Sequence, residues 1–394
     1  NWFSKRQFEL VRSIFFILRD TPETAPFEVR ESAKTLVLDL LKACNTDVTN
    51  ETVTEKSFQT LVGAFVYDLA SPTPMVREVA QKCLTVLSET TGVGIATMID
   101  PCKHLLLAPI FGKPLRALPF PMQIGNIDAI TFCLNLPDTF LTFNEELNRL
   151  LLEALALVDA EDESLANVHR LSEYRTSKQL IELRVVCIKL LSLALTKPDF
   201  SLGSLAEARI RILGVFFKAL CNKSTEIINA AHHGLAASLQ ENAKLPKELL
   251  QNGLRPMLMN LSDHKKLTVS GLEALARLLE LLISYFRVEI GRKLLDHLMA
   301  WAQINTLRQI AGQDLTNNHT VQIVMAILNI FHLLPAKAYT FMEEIINTLQ
   351  YLEGHLDRHK DSPFRQPVSK FLNRFAENCI EYLIVNFKNR KLGN

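Results

Sequence analysis

The sequence predicts an all-α fold, an α-solenoid of about eight helical hairpins. Apolar residues recur with helical spacing along most of the chain, and the helical stretches come in pairs separated by short polar or proline-containing turns. No stretch shows the apolar–polar alternation between tight turns that is typical of strands. The chain has 394 residues, more than the roughly 250–300 at which a single core stops growing. We therefore expect one continuous array of repeats over residues 1–394.

The clearest hairpin lies between residues 247 and 286. Its second helix has apolar residues at helical spacing, at Val269, Leu272, Leu275, Leu279, Leu282 and Phe286. On the polar stripe, Glu273 and Arg277 stand four apart in the order that favours an ion pair within a helix. A shorter helix over 247–261 precedes it, and Ser262-Asp263-His264 is expected to form the turn and to cap the second helix. Neither helix can bury its apolar face alone, so further copies of the unit are expected to pack against it.

The other hairpins follow in chain order. The predicted helix pairs are 2–20 with 27–44, 52–70 with 74–91, 95–109 with 123–136, 143–158 with 177–196, 203–221 with 225–241, 247–261 with a helix from about 267, 289–311 with 319–334, and 337–356 with 364–387. Within each of the first two pairs, a proline-containing turn separates the two helices, because proline cannot continue a helix. The proline-rich stretch 112–121 is expected to cross in an extended form. The acidic run Asp159–Glu163 is expected to form a solvated loop.

The repeat length indicates the type of hairpin. The second helices begin roughly 43–54 residues apart, close to the ~40–47 of HEAT or armadillo repeats. Four of them open with a bulky apolar residue, an arginine, and a small or medium apolar residue three positions after the arginine. These openings are Val29-Arg30 with Ala33, Val76-Arg77 with Ala80, Leu183-Arg184 with Cys187, and Phe364-Arg365 with Val368. We expect each arginine to span the groove between neighbouring repeats near the helix ends.

Composition argues against several classes of partner. The net charge of +1 requires neither nucleic acid nor an anionic membrane. No apolar run reaches the 18 or so residues of a membrane span. The seven cysteines include no Cys-x-x-Cys pair, which indicates reduced core thiols in a cytosolic or nuclear protein. We expect no membrane partner and no direct nucleic-acid binding, although basic residues outnumber acidic ones after residue 355. Because the first residue is Asn1 and not Met, we expect a piece of a longer chain.

The motifs that carry catalysis or cofactor binding are incomplete. Gly92-Val93-Gly94 follows a helix and lacks the third glycine of a dinucleotide-binding loop, so a helix-ending turn is expected there. Gly112-Lys113 lacks the glycine frame of a phosphate-binding loop, and Asp199-Phe200-Ser201 has Ser where a kinase metal-binding motif has Gly. His355 and His359 stand four apart, but no third metal ligand is specified. We therefore predict no enzyme activity and assign no catalytic, cofactor-binding or metal-binding residue.

The family resemblance is carried by four stretches: LPFPMQIGNIDAITFCLNLP at 118–137, LRVVCIKLLSLAL at 183–195, LRPMLMNLSDHKKLT at 254–268 and SPFRQPVSKFLNRF at 362–375. In the same order, they resemble the helical-repeat region of the TRRAP family, the large transcription-associated relatives of the phosphatidylinositol-3-kinase-like kinases. The resemblance implies a nuclear scaffold segment of the SAGA and NuA-type histone acetyltransferase complexes, which transcriptional activators recruit. It implies no catalytic residue, since the kinase-like domain of the family is a pseudokinase and this sequence contains neither that domain nor the FAT domain.

A candidate partner-binding site lies at the sixth hairpin. The cations Lys247, Arg255, Lys265 and Lys266 flank the run Leu254–Leu261, whose methionines, Met257 and Met259, suit an adaptable surface. Acidic activation segments interleave acids with bulky apolar residues, so they need a groove with cations beside it. The predicted partners are acidic transcriptional activators and acetyltransferase-complex subunits. In the alternative interpretation the methionines belong to an ordinary core and the lysines to an ordinary surface.

Two other functions stay open for a solenoid of this kind. The first is a nuclear-transport or phosphatase scaffold, which relies on the same repeat packing. The second is the regulatory helical arm of an active phosphatidylinositol-3-kinase-like kinase. The near-neutral charge argues against the transport function, which a strongly acidic inner surface would favour.

Overall fold

The computed structural model describes residues 2–44, 56–137, 140–166, 173–201, 205–240, 261–311, 315, 317–356 and 362–392. Within these ranges every regular element is an α-helix or a 3₁₀ helix and no strand occurs, as the predicted all-α class requires. The internal contacts divide the chain into two compact units. The first unit comprises residues 1–216 and 229–241, and the second comprises residues 217–228 and 242–394.

The first unit consists of stacked helices. They are α1 (Trp2–Asp20), α2 (Phe27–Ala43), α3 (Lys56–Asp68), α4 (Pro74–Thr91), α5 (Ile95–Ile99), α6 (Lys103–Phe111), α7 (Phe120–Asn135), α8 (Glu145–Asp159), α9 (Asp162–Ala166) and α10 (Glu173–Leu195). Most of α11 (Leu205–Ala219) and α12 (Thr225–Gln240) also belongs to it. Helix α1 packs against α2 and α3, both of which pack against α4, and α10 packs against α7 and α8.

Aromatic side chains fill the interface between α1 and α3. Phe15 and Phe65 are fully buried and meet edge to face with ring centroids 4.9 Å apart. Phe8 and Phe58 repeat this arrangement about two turns earlier on the same helices, with ring centroids 5.4 Å apart. Edge-to-face pairs add to the stabilisation that burial of the rings provides. The helical spacing of these residues in the sequence is therefore the spacing of a packed interface.

The second unit is organised around one apolar helix. Its helices are α13 (Val269–Leu282), α14 (Glu289–Trp301), α15 (Ile304–Ile310), α16 (His319–Ile330), α17 (Met342–Leu356), α18 (Arg365–Arg374) and α19 (Ala376–Leu392). Helix α16 packs against α13, α14 and α18, and α17 packs against α15 and α18. The predicted stripe of α13 is confirmed, since Leu272, Leu275, Leu279 and Leu282 are all buried.

Local capping signals set several helix ends. Pro74 opens α4, where its missing N–H has no intrahelical partner to lose. Gly92 ends the same helix at φ +67°, a left-handed conformation that favours glycine, and confirms the expected helix-ending turn. Asn144 and Thr268 cap α8 and α13 by accepting hydrogen bonds from the N–H groups three residues later, at 2.9 and 3.1 Å. The cap of α13 was expected within Ser262–His264, and that expectation was wrong.

Three predicted continuous helices are broken. A 3₁₀ turn at Asp100–Cys102, which contains a proline, interrupts 95–109, because proline removes a helical hydrogen bond. The helix 289–311 ends at Trp301 and restarts at Ile304, and 364–387 breaks at Phe375. Phe375 is buried in the core of the second unit, and its ring centroid lies 5.1 Å from that of Phe371, one turn earlier.

Several connectors also differ from expectation. The stretch 112–121 contains a 3₁₀ turn at Leu115–Ala117, and α7 already begins at Phe120. The acidic run enters the short helix α9, whose first residue, Asp162, pairs with Arg184 at 2.5 Å. The first five residues of the expected helix 337–356 belong to a 3₁₀ helix, Ala336–Phe341. The predicted helix 247–261, with Met257 and Met259, lies outside the described residues except for its last position.

No single helix in the described ranges is long and apolar enough to cross a membrane. Helix α4 taken together with the stretch Ile95–Phe111 meets the length and composition criteria, but the two are bent by 111°.

Candidate interaction surfaces

Two of the four predicted partner-binding cations can be located. Lys265 and Lys266 lie in a 3₁₀ turn, His264–Lys266, which leads into α13, and both side chains are exposed. Lys247 and Arg255 lie outside the described residues. The structure therefore shows one pair of adjacent exposed cations, and the grouping of all four residues stays a prediction.

Side chains of α14 fix the backbone of this lysine turn. The indole Nε1 of Trp301 donates a hydrogen bond to the carbonyl of His264 at 3.1 Å. The Nε2 atom of His297 lies 2.7 Å from the carbonyl oxygen of Leu261. Leu261 and Leu267, which flank the turn, are buried. The lysines are thus presented from a backbone that is tied to the core of the second unit.

A trough lies on the second helices of three hairpins in this unit, α13, α16 and α18. It encloses about 890 Å³, at the upper end of the range for ligand sites. Helix α16 contributes a half-buried stripe at helical spacing, Gln322, Met325, Ala326 and Asn329. Helix α13 contributes Glu273, Ala276, Arg277 and Glu280, and α18 contributes Gln366 and Lys370. The lining therefore combines small apolar, amide and charged side chains.

The charges on the two outer helices of the trough are compensated differently. Arg277 Nη2 lies 3.3 Å from a carboxylate oxygen of Glu273, which confirms the predicted pair within α13. Lys370 Nζ donates to the amide oxygen of Asn329 at 3.0 Å. Because that partner is neutral, Lys370 keeps an uncompensated charge as far as the described part of the chain shows. The α18 side of the trough is therefore the more positive.

His332 lies at the end of the trough, and its pKa reflects the charges around it. Burial holds the pKa of His332 below its ordinary value, and the cations of Lys370 and Arg374 lower it further. A hydrogen bond to the backbone of Asn329 and the carboxylate of Glu280 act in the opposite direction. Arg374 also donates to the backbone carbonyl of His332. Two cations, Lys370 and Arg374, thus lie near His332 where α16 ends beside α18, and they favour its neutral form.

A smaller cavity of about 530 Å³ in the first unit lies among α6, α8 and the segment before α8. Its one lysine, Lys103, donates to the carbonyl of Phe140 and lies over the Phe140 ring, 4.3 Å from the centroid. The cation of this cavity therefore already has an internal partner.

Arg77 links three hairpins of the first unit. Its guanidinium donates to Asp128 of α7 at 3.1 Å and to the carbonyls of Ser71 and Pro72 at 2.9 and 3.2 Å. Its Nη2 atom lies 3.9 Å from Glu182 of α10. The side chain is 6% exposed. The expectation that this arginine spans the groove between repeats is confirmed.

The other three patterned arginines bond to the segments that precede their helices. Arg184 donates to the carbonyl of Ala160 at 2.6 Å, and Arg30 donates to the carbonyl of Glu23 at 3.1 Å. Arg365 forms a bidentate pair with Glu353 of α17, at 2.7 and 3.0 Å. The pattern therefore marks a position that satisfies the chain before each second helix.

Five of the seven cysteines are core residues, whereas Cys221 is exposed and Cys379 is half-buried. All seven are free of disulfide bonds, and five are buried: Cys44, Cys83, Cys102, Cys133 and Cys187. Burial raises the pKa of Cys44 to about 11 and those of Cys83 and Cys133 to about 12. A thiol that stays protonated is a poor nucleophile and a poor metal ligand.

Potential metal ligands are scattered. His355 bonds through Nδ1 to the carbonyl of Tyr351 at 2.8 Å, and His359 lies outside the described residues. Across the ranges that the structure covers, no three His, Cys, Asp or Glu side chains come together as a metal site would require.

Comparison with known proteins identifies the family. A family model described as the Tra1 HEAT repeat ring region matches residues 1–394. The chain belongs to this family. The predicted resemblance and the predicted repeat type are therefore confirmed, and the segment is HEAT repeat and not a kinase domain.

Relatives in the Tra1 family match nearly the whole chain. It is 51% identical over 389 residues, 98% of its length, to the SAGA complex/NuA4 acetyltransferase complex subunit TRA1 of Saccharomyces cerevisiae. It is 37% identical over 393 residues, 99% of its length, to the subunit Tra1 of Schizosaccharomyces pombe, and 26% identical over 413 residues, 98% of its length, to the human Transformation/transcription domain-associated protein. The chain spans only about a tenth of these relatives, 10%, 11% and 10% of their lengths.

Sequence reasoning about this Tra1-type segment missed the trough. Its one local signal is the stripe Gln322, Met325, Ala326 and Asn329, which is less apolar than the rest of α16. That spacing is helical and could have been recognised as an exposed stripe. The contributions of α13 and α18 come from positions far along the chain, and no local pattern brings them to α16.

Proposed function

We propose that this chain is a non-enzymatic scaffold segment of a transcription coactivator subunit of nuclear histone acetyltransferase complexes. The observation that carries the proposal is the 51% identity over 98% of the chain to a protein named as a subunit of the SAGA and NuA4 acetyltransferase complexes. Stacked helical hairpins present extended surfaces for other proteins, which suits such a role.

Affinity purification of the tagged chain from nuclear extract tests the scaffold role. Acetyltransferase-complex subunits are expected to co-purify and to resist a wash of moderate salt. The matched control is a tagged helical-repeat protein of similar size from another family. Enrichment of transport cargo or phosphatase subunits in place of acetyltransferase subunits would contradict the proposal.

The non-enzymatic part rests on the family match, which is to a HEAT-repeat region and not to a kinase-like domain. Isothermal titration of the chain with Mg·ATP and with zinc should give no saturable heat. Micromolar ATP binding, or stoichiometric zinc that is lost in a His355→Ala/His359→Ala variant, would overturn it.

Acidic transcriptional activators are the proposed partners of the site around Lys247, Arg255, Lys265 and Lys266. The exposure of Lys265 and Lys266 on a turn that is tied to the core supports this assignment. Because activation segments order only on binding, their affinity is limited and its electrostatic share is visible in the salt dependence.

A charge-reversal variant tests the site. Lys265→Glu/Lys266→Glu should weaken binding of an acidic activation peptide and flatten its dependence on salt between about 0.05 and 0.3 M. Lys293→Glu/Lys337→Glu, at two exposed lysines elsewhere in the same unit, is the matched control. Circular dichroism checks that both variants fold. Equal losses in the two variants would show only a general effect of charge and would contradict the site.

A further inference from the structure

We propose that Trp301, together with the imidazole rings of His264 and His319, forms an aromatic platform that accepts an aromatic side chain of an acidic segment bound at Lys265 and Lys266. The inference rests on the activator site proposed above, and it adds an apolar contact to the cations of that site. The partner chemistry that it names is an aromatic residue with a carboxylate within a few positions along the same segment.

Three segments of the second unit meet at Trp301. This residue is the last of α14, His319 is the first of α16, and His264 opens the turn that leads into α13. The ring centroid of Trp301 lies 6.5 Å from that of His264 and 5.8 Å from that of His319, with interplanar angles of 83° and 61°. Both distances lie in the range of edge-to-face aromatic pairs. The three rings therefore form one connected group.

The platform is held in place and is partly open to solvent. The indole of Trp301 is half-buried, packs against the core of the second unit, and donates from Nε1 to the carbonyl of His264 at 3.1 Å. His319 is exposed, and the side chain of His264 is 39% exposed. Because the indole is already ordered, a ligand that contacts it loses little affinity to further ordering of the protein. Tryptophans of this kind are frequent among the residues that dominate binding at protein interfaces.

Cations lie directly beside the platform. Lys265 and Lys266 follow His264 in the chain, where consecutive Cα atoms are about 3.8 Å apart, and both side chains are exposed. The neighbouring acid, Asp263, accepts a hydrogen bond from the N–H of Lys265 at 3.0 Å and lies 3.8 Å from Nδ1 of His264. The turn and its cap thus carry two cations against one carboxylate.

The platform distinguishes an aromatic ligand side chain from an aliphatic one. Both bury apolar area on Trp301, but a ring also gains edge-to-face contacts, which correspond to about twofold to twelvefold in affinity. An extended segment advances only about 3.3 Å per residue, so a carboxylate near the aromatic residue can lie beside Lys265 or Lys266 at the same time. Aromatic and acidic side chains close together in one segment are therefore the feature that this surface selects.

The fluorescence of Trp301 provides the first measurement. Because Trp2 is the other tryptophan of the sequence, the variant Trp2→Phe leaves Trp301 as the one remaining tryptophan of the whole chain. The probe is a short acetylated peptide with one Phe among Asp and Ser residues, and its counterpart has Ala in place of Phe. The Phe peptide should change the emission of Trp301 on titration. It should also bind about fivefold more tightly than the Ala peptide.

Variants separate recognition from a structural role, with binding read from the anisotropy of labelled peptides. Trp301→Leu should abolish the preference for Phe over Ala, and His319→Ala should reduce it about twofold. Loss of the indole hydrogen bond alone would loosen the lysine turn and weaken both peptides equally, so the ratio of the two affinities reports the platform. Lys265→Glu/Lys266→Glu should weaken both peptides and leave that ratio unchanged. His104→Ala, at an exposed histidine of the first unit, is the matched control and should change neither affinity.

The outcomes distinguish the platform from the activator site on which it rests. If the Phe and Ala peptides bind equally well and both depend on Lys265 and Lys266, the activator site stands and the platform is overturned. A Phe preference that survives both Trp301→Leu and His319→Ala, or an unchanged Trp301 emission, also overturns the platform alone. If Trp301→Leu misfolds by circular dichroism, His319→Ala decides, because its side chain is exposed. If neither peptide binds, or if the lysine variant binds both as the parent does, the activator site fails and the platform fails with it.

Discussion

Arg77 and Asp128 are 51 positions apart in the chain, yet Nε of the arginine lies 3.1 Å from a carboxylate oxygen of the aspartate. The same guanidinium reaches two carbonyls of the turn before its own helix and approaches a carboxylate of a third hairpin. A cation that is 6% exposed must have its donors satisfied, and here groups from three repeats satisfy them. One buried side chain of α4 therefore bonds to α7 and approaches α10.

Arg77→Met should lower the stability of the first unit by about 1–3 kcal/mol, because it leaves two part-buried carbonyls without their donor. Asp128 is 37% exposed, so solvent screening keeps the ion-pair share small. Hydrogen exchange read by mass spectrometry should show the loss of protection in α4 and α7. Lys82→Met, which breaks the exposed pair with Glu78, is the control and should cost below about 0.5 kcal/mol. Unchanged exchange in α7 would show that the contact does not hold the hairpins together.

Leu279→Ala should destabilise the second unit by roughly 2–5 kcal/mol, because the side chain is fully buried and its loss leaves a cavity. The apolar stripe in the sequence of α13 alone predicted that Leu279 is buried. Met299→Ala, at a side chain that is 50% exposed, should cost much less. Urea unfolding of both variants gives the comparison, and a cost below about 0.5 kcal/mol for Leu279→Ala would contradict the packing.

Two glycine-to-alanine substitutions should change the stability of the protein in opposite directions. A β-carbon on Gly125 of α7 would lie 2.5 Å from the carbonyl oxygen of Ala70 and 2.7 Å from that of Ser71. Gly125→Ala should therefore cost about 1–3 kcal/mol, since backbone must move. Gly354 of α17 has open space, so Gly354→Ala should stabilise its helix by about 0.5 kcal/mol. Thermal melts should separate the two, and a neutral Gly125→Ala would show that α7 can slide.

Asp68 gives the first unit a pH dependence. Burial raises the pKa of Asp68 to about 6, only partly opposed by Arg19 at 3.9 Å. The folded carboxyl therefore holds its proton more tightly than the unfolded one, whose pKa is near 3.8. Between pH 4 and pH 6 the folded state binds more protons, so this group makes stability fall as pH rises through that window.

The variant Asp68→Asn should remove this contribution. It should be more stable than the parent at pH 7.5, on the order of 1–3 kcal/mol, and equal to it near pH 4. Denaturant unfolding at the two pH values provides the measurement. A variant that is less stable than the parent at pH 7.5 would mean that the Arg19 contact outweighs burial.

Sequence periodicity predicted the helices well where one face of a helix alone decides its packing. The stripe of α13 and the helix end at Gly92 follow from residues close in the chain. The break after Trp301 does not, because its indole bonds to a carbonyl 37 positions away, and the break at Phe375 places that side chain in the core of the second unit. Pro101 is different, since a proline inside the pattern already marked the interruption.

The candidate surfaces divide in the same way. The exposure of Lys265 and Lys266 followed from a polar turn between two apolar runs. The trough is formed by three helices. Its lining residues, such as Ala276 and Gln366, are too far apart in the sequence for a local pattern to show that they come together. The patterned arginines lie between these cases: a local pattern located them, but their partners, such as Asp128 and Glu353, could be named only from the fold.

Ribosomes synthesise proteins from the N-terminus to the C-terminus at roughly 5–20 residues per second. Arg77 emerges before Asp128 by 51 residues, which is a delay of roughly 3–10 s at that rate, and Glu182 emerges later still. For that interval the newly made second hairpin carries a cation without its carboxylates. The contacts of Arg77 with Asp128 and Glu182 can therefore form only after the later repeats have been synthesised, so this link between hairpins is completed after the second hairpin itself.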